Sequence, residues 1–131
     1  MPTRDQVTRL VRDVEANRIL DAIDEFYDEN VSMQDNHNPP VVGKDANRER
    51  ERAFFGSITL HGNRALSIAI DGDQVVIHWL LEFTGGDGKR YRLDQLSHQD
   101  WKDGRIVRER FYYDSARILV EGEGDTPAAA A

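Results

Sequence analysis

The fold is decided by the stretch QVVIHWLLEFTGGDGKRYRLDQLSHQDWKDGRIVRERFYY, residues 74–113. Apolar and polar residues alternate along most of it with a period of two, which is typical of strands that bury one face. Glycine-containing turns at 85–88 and 103–104 interrupt the alternation and tolerate the positive φ angles of hairpins. The pattern predicts antiparallel strands at 74–84, 89–102 and 105–113, preceded by a similar strand at 57–70.

The first half of the chain has helical periodicity instead. Residues 3–6 form a capping-box pattern, and apolar residues follow at helical spacing as far as Val14. The apolar stripe resumes at Ile19 and predicts a second helix. That helix is predicted to end near Glu29-Asn30. A short strand at 31–35, a loop through Pro39-Pro40 and a third helix over 44–55 are predicted to follow. Helices followed by an antiparallel sheet predict an α+β fold.

Length and composition limit the class of protein. A chain of 131 residues with 39% hydrophobic residues fits one domain. The chain has no Cys, which excludes disulfides, thiolate zinc sites and a Cys nucleophile. A net charge of −7 argues against nucleic-acid and anionic-membrane partners. With neither an apolar run of membrane-spanning length nor a signal-peptide pattern, a cytoplasmic protein is expected.

The order of these elements resembles the nuclear transport factor 2-like superfamily, especially its SnoaL-like and ketosteroid-isomerase-like branches. The resemblance rests on two stretches, FYDENVSMQDNHNPPVVGKDANRERERAFF (26–55) and DGRIVRERFYYD (103–114). It implies a cone-shaped α+β barrel, with three helices packed in a curved, mainly antiparallel sheet, and a homodimer formed through the outer sheet face. Residues 1–120 would form this domain. The tail at 121–131 is expected to be disordered.

Strand parity predicts which side chains face the interior of such a cone. On the last strand the inward set is Val107, Glu109, Phe111 and Tyr113, and the outward set includes Ile106 and Tyr112. Polar residues within the inward sets are easier to explain around a ligand cavity than in a dry core. The predicted ligand-contacting residues are Tyr27, Met33, His37, Asn47, Glu51, Phe54, Trp79, Gln99, Trp101, Phe111 and Tyr113.

Asp35 is the first candidate for a catalytic residue. The resemblance places it where ketosteroid isomerases have the carboxylate that removes a proton next to a carbonyl. An Asp-Asn pair before Pro-Pro is equally typical of an ordinary turn, because Asx side chains bond the nearby backbone. Glu109 on the last strand is the second candidate, as a polarising or relay group. Glu51 is expected either in the same cavity or on a solvated helix face.

Other chemistries find little support in the sequence. The isomerase Tyr and protonated Asp have no counterpart at the matching positions. Arg92 and Asp94 resemble the Arg/Asp pair of the epoxide-hydrolase branch, but their parity points outward. The four His lack metal-ligand spacing, and no cofactor motif is present, so neither a metal nor a cofactor is predicted. Two functions stay open: an isomerase or polyketide-cyclase type of enzyme, and a non-catalytic module that binds a small apolar molecule.

Overall fold

The computed structural model describes residues 1–120, so the tail prediction for 121–131 lies outside the described residues. The three predicted helices are present. The elements are α1 (Arg4–Glu15), α2 (Ile19–Phe26), β1 (Tyr27–Asp35), β2 (Val41–Val42), α3 (Lys44–Gly56), β3 (Thr59–Asp71), β4 (Gln74–Thr84), β5 (Arg90–Lys102), β6 (Arg105–Tyr112), a short 3₁₀ turn (Ser115–Arg117) and β7 (Leu119–Val120). No helix within residues 1–120 is long and apolar enough to cross a membrane.

The strands form one curved sheet in the order β2-β1-β6-β5-β4-β3, and β7 pairs with the start of β5. Strands β3 to β6 pair antiparallel, as their hairpin turns predict. The exception is β1, which runs parallel to β6, with Asp35 opposite Phe111. The α+β fold with a mainly antiparallel sheet is therefore confirmed, and the parallel pair brings the end of β1 beside the last long strand.

The helices cover the inward face of the sheet. Helix α1 begins at the predicted capping box, in which Thr3 and Gln6 each accept a hydrogen bond from the other's backbone N–H. Its apolar stripe enters a core shared by α1, α2 and residues of β1, β4, β5 and β6. The core side chains that are almost fully buried are Val7, Leu10, Ile23, Val31, Val75, Ile77 and Ile106.

The second helix ends earlier than the sequence predicts. Helix α2 stops at Phe26, and β1 begins at Tyr27 rather than at Val31. Strand pairing explains the difference, because Tyr27 lies opposite Ile106 in the parallel ladder with β6. Tertiary pairing thus overrides a sequence pattern that would also suit a longer helix.

A β-bulge in the last strand changes which of its residues face inward, so the predicted parity is wrong at Ile106 and Val107. Asp100 lies opposite Arg108 while Trp101 lies opposite Ile106, so Val107 is an extra residue in the ladder. Ile106, predicted to face outward, is therefore fully buried, and Val107, predicted to face inward, is only half-buried. Beyond the bulge the predicted alternation holds, with Glu109 buried and Arg110 directed to the other face.

Candidate functional site

The inner face of the sheet and the three helices enclose a cavity of about 370 Å³. Most of its lining is apolar or aromatic, including Leu10, Ile23, Met33, Phe54, Phe55, Trp79, Leu81, Leu93, Phe111 and Tyr113. Four charged residues also line it: Asp35, Arg50, Glu51 and Glu109. A largely apolar cavity with a few convergent polar groups is typical of small-molecule sites.

Glu109 lies in a fully buried hydrogen-bond relay. Trp101 Nε1 donates to Gln99 Oε1 over 3.0 Å, and Gln99 Nε2 donates to Glu109 Oε2 over 2.8 Å. The hydroxyl of Tyr27 is hydrogen-bonded to Glu109 Oε1. All four side chains are buried, and Gln99 and Glu109 are direct partners on β5 and β6. We call this set, Trp101, Gln99, Glu109 and Tyr27, the buried relay.

Burial changes the acidity of two members of this relay. Desolvation raises the pKa of Glu109, while hydrogen bonds from Tyr27, Gln99 and Ser97 and the charge of Arg50 counteract it. The pKa of the Tyr27 phenol is raised well above its ordinary value by burial and then by Glu109. Burial therefore favours the protonated form of the Glu109 carboxyl, and the Tyr27 phenol stays protonated.

The second polar group of the cavity is centred on Arg50 of α3. Its Nη1 lies 3.1 Å from Asp35 Oδ2, and its Nη2 lies 3.3 Å from Glu51 Oε1. The side chain of Glu51 is only 17% exposed. Burial raises the pKa of Glu51 to about 7, against the lowering effect of Arg50, and the charges of Glu109 and Asp35 raise it further. Glu51 is thus in the cavity rather than on a solvated helix face.

The turn after β1 directs Asp35 into the cavity. Asn36 adopts a positive φ of 50°, its N–H donates to the carbonyl of Phe111, and its side-chain oxygen accepts from the N–H of Tyr113. The turn itself is closed by the N–H of Asn38, which donates to the carbonyl of Asp35. Asn36 and the backbone therefore form the turn, and the Asp35 carboxylate pairs with Arg50 instead.

Ten of the thirteen predicted site residues line this cavity. They are Asp35, Glu109, Tyr27, Met33, Glu51, Phe54, Trp79, Gln99, Phe111 and Tyr113. Their placement agrees with the parity of the strands, and their roles in binding or catalysis stay predictions.

The other three predicted contacts lie away from the lining. Asn47 is fully buried, and its side-chain amide donates to the carbonyls of Val41 and Gly43, which holds the loop before α3. His37 is exposed and pairs with Arg110. Trp101 packs edge-on against Phe26 and reaches the site only through Gln99.

Several lining residues were missed by sequence reasoning. Leu93 has the same parity as the predicted inward set of β5, so a signal for it was present. Asn63 on β3 had none, because a bulge between Ala65 and Ser67 shifts the parity of that strand. Arg50 is a further lining residue that was not predicted, and it contacts both Asp35 and Glu51.

The Arg/Asp pair on β5 lies on the outer face of the sheet, as its parity predicts. Arg92 contacts Glu82 at 3.4 Å, and Asp94 is hydrogen-bonded to His78. The residues of this segment that line the cavity are Leu93 and Gln95. The pair is therefore outside the cavity.

Sequence comparison identifies the family to which this chain belongs. The profile of the SnoaL-like domain matches residues 7–109, which is most of the chain. The chain belongs to the SnoaL-like domain family. Comparison with curated proteins gave no match.

Solved structures agree with the fold of this SnoaL-like domain. A Mesorhizobium loti protein assigned as a SnoaL-like polyketide cyclase has a TM-score of 0.79 at 20% identity, covering 86% of this chain and 100% of that one. An LEH-like epoxide hydrolase of M. tuberculosis has a TM-score of 0.70 at 18% identity, covering 86% of this chain and 82% of that one. A Bacillus subtilis protein assigned as an isomerase has a TM-score of 0.71 at 20% identity, covering 86% of each chain. These likenesses show the nuclear transport factor 2-like fold, which hosts several chemistries.

Proposed function

We propose that this SnoaL-like domain binds a small, mainly apolar carbonyl compound in its cavity and transfers a proton at the carbon next to the carbonyl. This is the chemistry of an isomerase or of a polyketide-cyclase type of enzyme. The single observation that carries the proposal is the position of Glu51, a largely buried carboxyl with a pKa of about 7 in a cavity lined mainly by apolar residues. A general base works best when its pKa lies near the working pH.

The proposed step follows from the charges in the cavity. The ionised Glu51 carboxylate takes a proton from the carbon, and the electron pair moves onto the carbonyl oxygen to form an enolate. Arg50, at 3.3 Å from Glu51, supplies positive charge beside the reacting groups. In a β,γ-unsaturated ketone, return of the proton from Glu51 to the γ carbon completes an isomerisation. In a compound with a second carbonyl, attack of the enolate carbon on that carbonyl forms an alkoxide, and transfer of the proton from Glu51 to the alkoxide completes a cyclisation.

Asp35, the base predicted from the sequence, lies on the other side of the same guanidinium. It is the second candidate for the proton acceptor, and substitution of each carboxylate in turn shows which of the two accepts the proton. Glu109 is a poorer acceptor of a substrate proton, because both of its oxygens already take part in the buried relay.

Hydrogen–deuterium exchange tests the step without knowledge of the natural substrate. The probe is 1-tetralone, a bicyclic ketone with exchangeable hydrogens next to its carbonyl, followed by proton NMR in deuterated buffer. We expect the protein to accelerate exchange, with a rate that rises through about pH 7 as Glu51 loses its proton. Glu51→Gln should lower the accelerated rate by about 10²–10⁴-fold. Asp35→Asn should cost less, and a larger loss in Asp35→Asn would move the role of base to Asp35.

The alternative function is a non-catalytic module that binds the same class of molecule. It is favoured by the pairing of two of the cavity's carboxylates, since Arg50 contacts both Asp35 and Glu51. Binding of 1-tetralone without any acceleration of exchange would support this alternative and contradict the proposed chemistry.

A further inference from the structure

The hydrogen bonds of the buried relay have a fixed direction at one end. The indole of Trp101 has only a donor, so the Gln99 oxygen must accept from it. The Gln99 amide group is then left to donate to Glu109 Oε2. Glu109 Oε2 therefore accepts a hydrogen bond whatever the protonation state of the carboxyl.

The direction of the hydrogen bond between Glu109 and Tyr27 depends on one proton. When Glu109 is ionised, its Oε1 can only accept, so the Tyr27 hydroxyl donates to it and presents a lone pair elsewhere. When Glu109 is protonated with its proton on Oε1, the carboxyl donates to the Tyr27 oxygen. The hydroxyl hydrogen of Tyr27 is then free to point into the cavity that Tyr27 lines.

We propose that Tyr27 is the group that recognises the carbonyl oxygen of the ligand, and that the proton on Glu109 sets whether Tyr27 offers a donor or only an acceptor. This inference rests on the proposed binding of a carbonyl compound. It makes Glu109 a positioning residue rather than a base. Uptake of a proton by Glu109 therefore accompanies the binding of an uncharged ketone, whereas a hydrocarbon of the same shape binds without it.

The groups that face Glu109 come from three elements. Tyr27 and Met33 of β1 lie beside it, Gln99 and Ser97 of β5 lie across the ladder, and Arg50 and Glu51 of α3 act on the site through their charges. Burial raises the pKa of Glu109, so its protonated form persists to higher pH than for an exposed glutamic acid. The pKa of Glu51 is raised to about 7, so the titration of Glu51 must be controlled for in any pH experiment.

The variant Glu109→Gln imitates the protonated carboxyl. Its amide oxygen can accept from Gln99, and its NH₂ group can donate to Tyr27, which leaves the Tyr27 hydrogen available to a ligand at every pH. A residue that served as a base would lose its function in this variant. A residue that only sets the direction of the Tyr27 hydroxyl would keep it.

Binding of two probes to the full chain tests the inference. The probes are 1-tetralone, which accepts a hydrogen bond, and tetralin, the hydrocarbon of the same ring system, followed by quenching or enhancement of tryptophan fluorescence from about pH 5 to about pH 9. In the wild type we expect 1-tetralone to bind about tenfold more weakly at the alkaline end, while tetralin shows no such change. Glu109→Gln should keep tight binding of the ketone at all pH values, and Glu51→Gln should keep the wild-type pH dependence.

The variant Tyr27→Phe and the comparison of the two probes separate failure of this inference from failure of the proposed function. Tyr27→Phe should bind 1-tetralone no better than tetralin, with a flat pH profile, while its far-ultraviolet circular dichroism confirms folding. If both probes bind with one common pH profile, or if Glu109→Gln loses ketone binding while it stays folded, the inference is wrong although the proposed function survives. If neither probe binds, the proposed function fails and this inference fails with it.

Discussion

Gln99 and Glu109 lie directly opposite each other on β5 and β6, with Gln99 Nε2 donating to Glu109 Oε2 over 2.8 Å inside the sheet interior. Two polar side chains facing each other on the buried side of a sheet would be costly without partners. The indole of Trp101 and the phenol of Tyr27 supply those partners. Both side chains therefore have hydrogen-bond partners, and both lie beside the cavity. These hydrogen bonds lower the cost of burying a titratable carboxyl in a largely apolar interior.

Replacement of Trp101 tests how much the buried relay depends on its first donor. Trp101→Phe keeps an aromatic side chain, although a smaller one, and leaves the Gln99 oxygen without its hydrogen bond. We expect the free energy of unfolding to fall by about 1–3 kcal/mol in urea titrations. Trp79→Phe is the matched control, because Trp79 donates to Ser97 over a longer 3.3 Å and should cost less. A larger cost at Trp79 would contradict the stated importance of the relay.

Glu51 makes stability depend on pH. Its pKa is raised from 4.5 to about 7 in the folded protein, so the folded state favours the protonated carboxyl. The stabilisation is complete below about pH 4.5 and is lost as the pH rises through about 7, amounting to about 3 kcal/mol. Glu51→Gln has no such titration.

Urea unfolding of the wild type and Glu51→Gln at about pH 5 and about pH 8 checks this sign. The variant should gain stability relative to the wild type by about 3 kcal/mol on going to the higher pH. Parallel changes in the two proteins would show that Glu51 titrates normally. Glu49→Gln, at an exposed position of the same helix, is the control.

Asn47 is expected to act on folding rather than on binding. Its amide donates to the carbonyls of Val41 and Gly43, so Asn47→Ala removes both hydrogen bonds from a fully buried position. We expect a loss of about 1–3 kcal/mol in unfolding free energy, with unchanged 1-tetralone affinity for the folded fraction. Weaker binding with unaltered stability would instead support the direct contact predicted from the sequence.

We propose that the chain forms a homodimer through the outer face of the sheet. Leu96 and Tyr112 are opposite each other on β5 and β6, and are 44% and 41% exposed. Sedimentation equilibrium at micromolar concentration should give a dimer, and Leu96→Glu should shift it toward the monomer. Val42→Glu, at the far edge of the sheet, should leave the dimer intact. A wild-type monomer would contradict the proposal.

The periodicity of two in residues 74–113 was sufficient to predict the strands and most of the cavity-lining residues within that stretch. It failed at Ile106, because parity is lost at a bulge that depends on the partner strand. The helical pattern of the first half of the chain failed at the end of α2, where Tyr27 pairs with a residue almost eighty positions away. A local sequence pattern carries no information about a strand partner so far away along the chain.

The chemistry was less predictable than the fold for a similar reason. The RERER run around Glu51 has the composition of an exposed helix face, and only the packing of α3 against the cavity buries one of its carboxyls. The pairing of Arg50 with Asp35 joins α3 to the end of β1 and has no local signature. Charge spacing indicated candidate residues, and tertiary packing determined their environment.

Carboxyl titration by ¹³C NMR observes the acids of the cavity without a substrate. With glutamate side chains labelled at the carboxyl carbon, we expect one resonance that titrates at about pH 7 and is missing from Glu51→Gln. A second resonance, missing from Glu109→Gln, should titrate above the ordinary range of glutamic acid. A spectrum in which every glutamate titrates near its ordinary pKa, about 4.3, would contradict the claim that this cavity holds protons for acid–base chemistry near neutral pH.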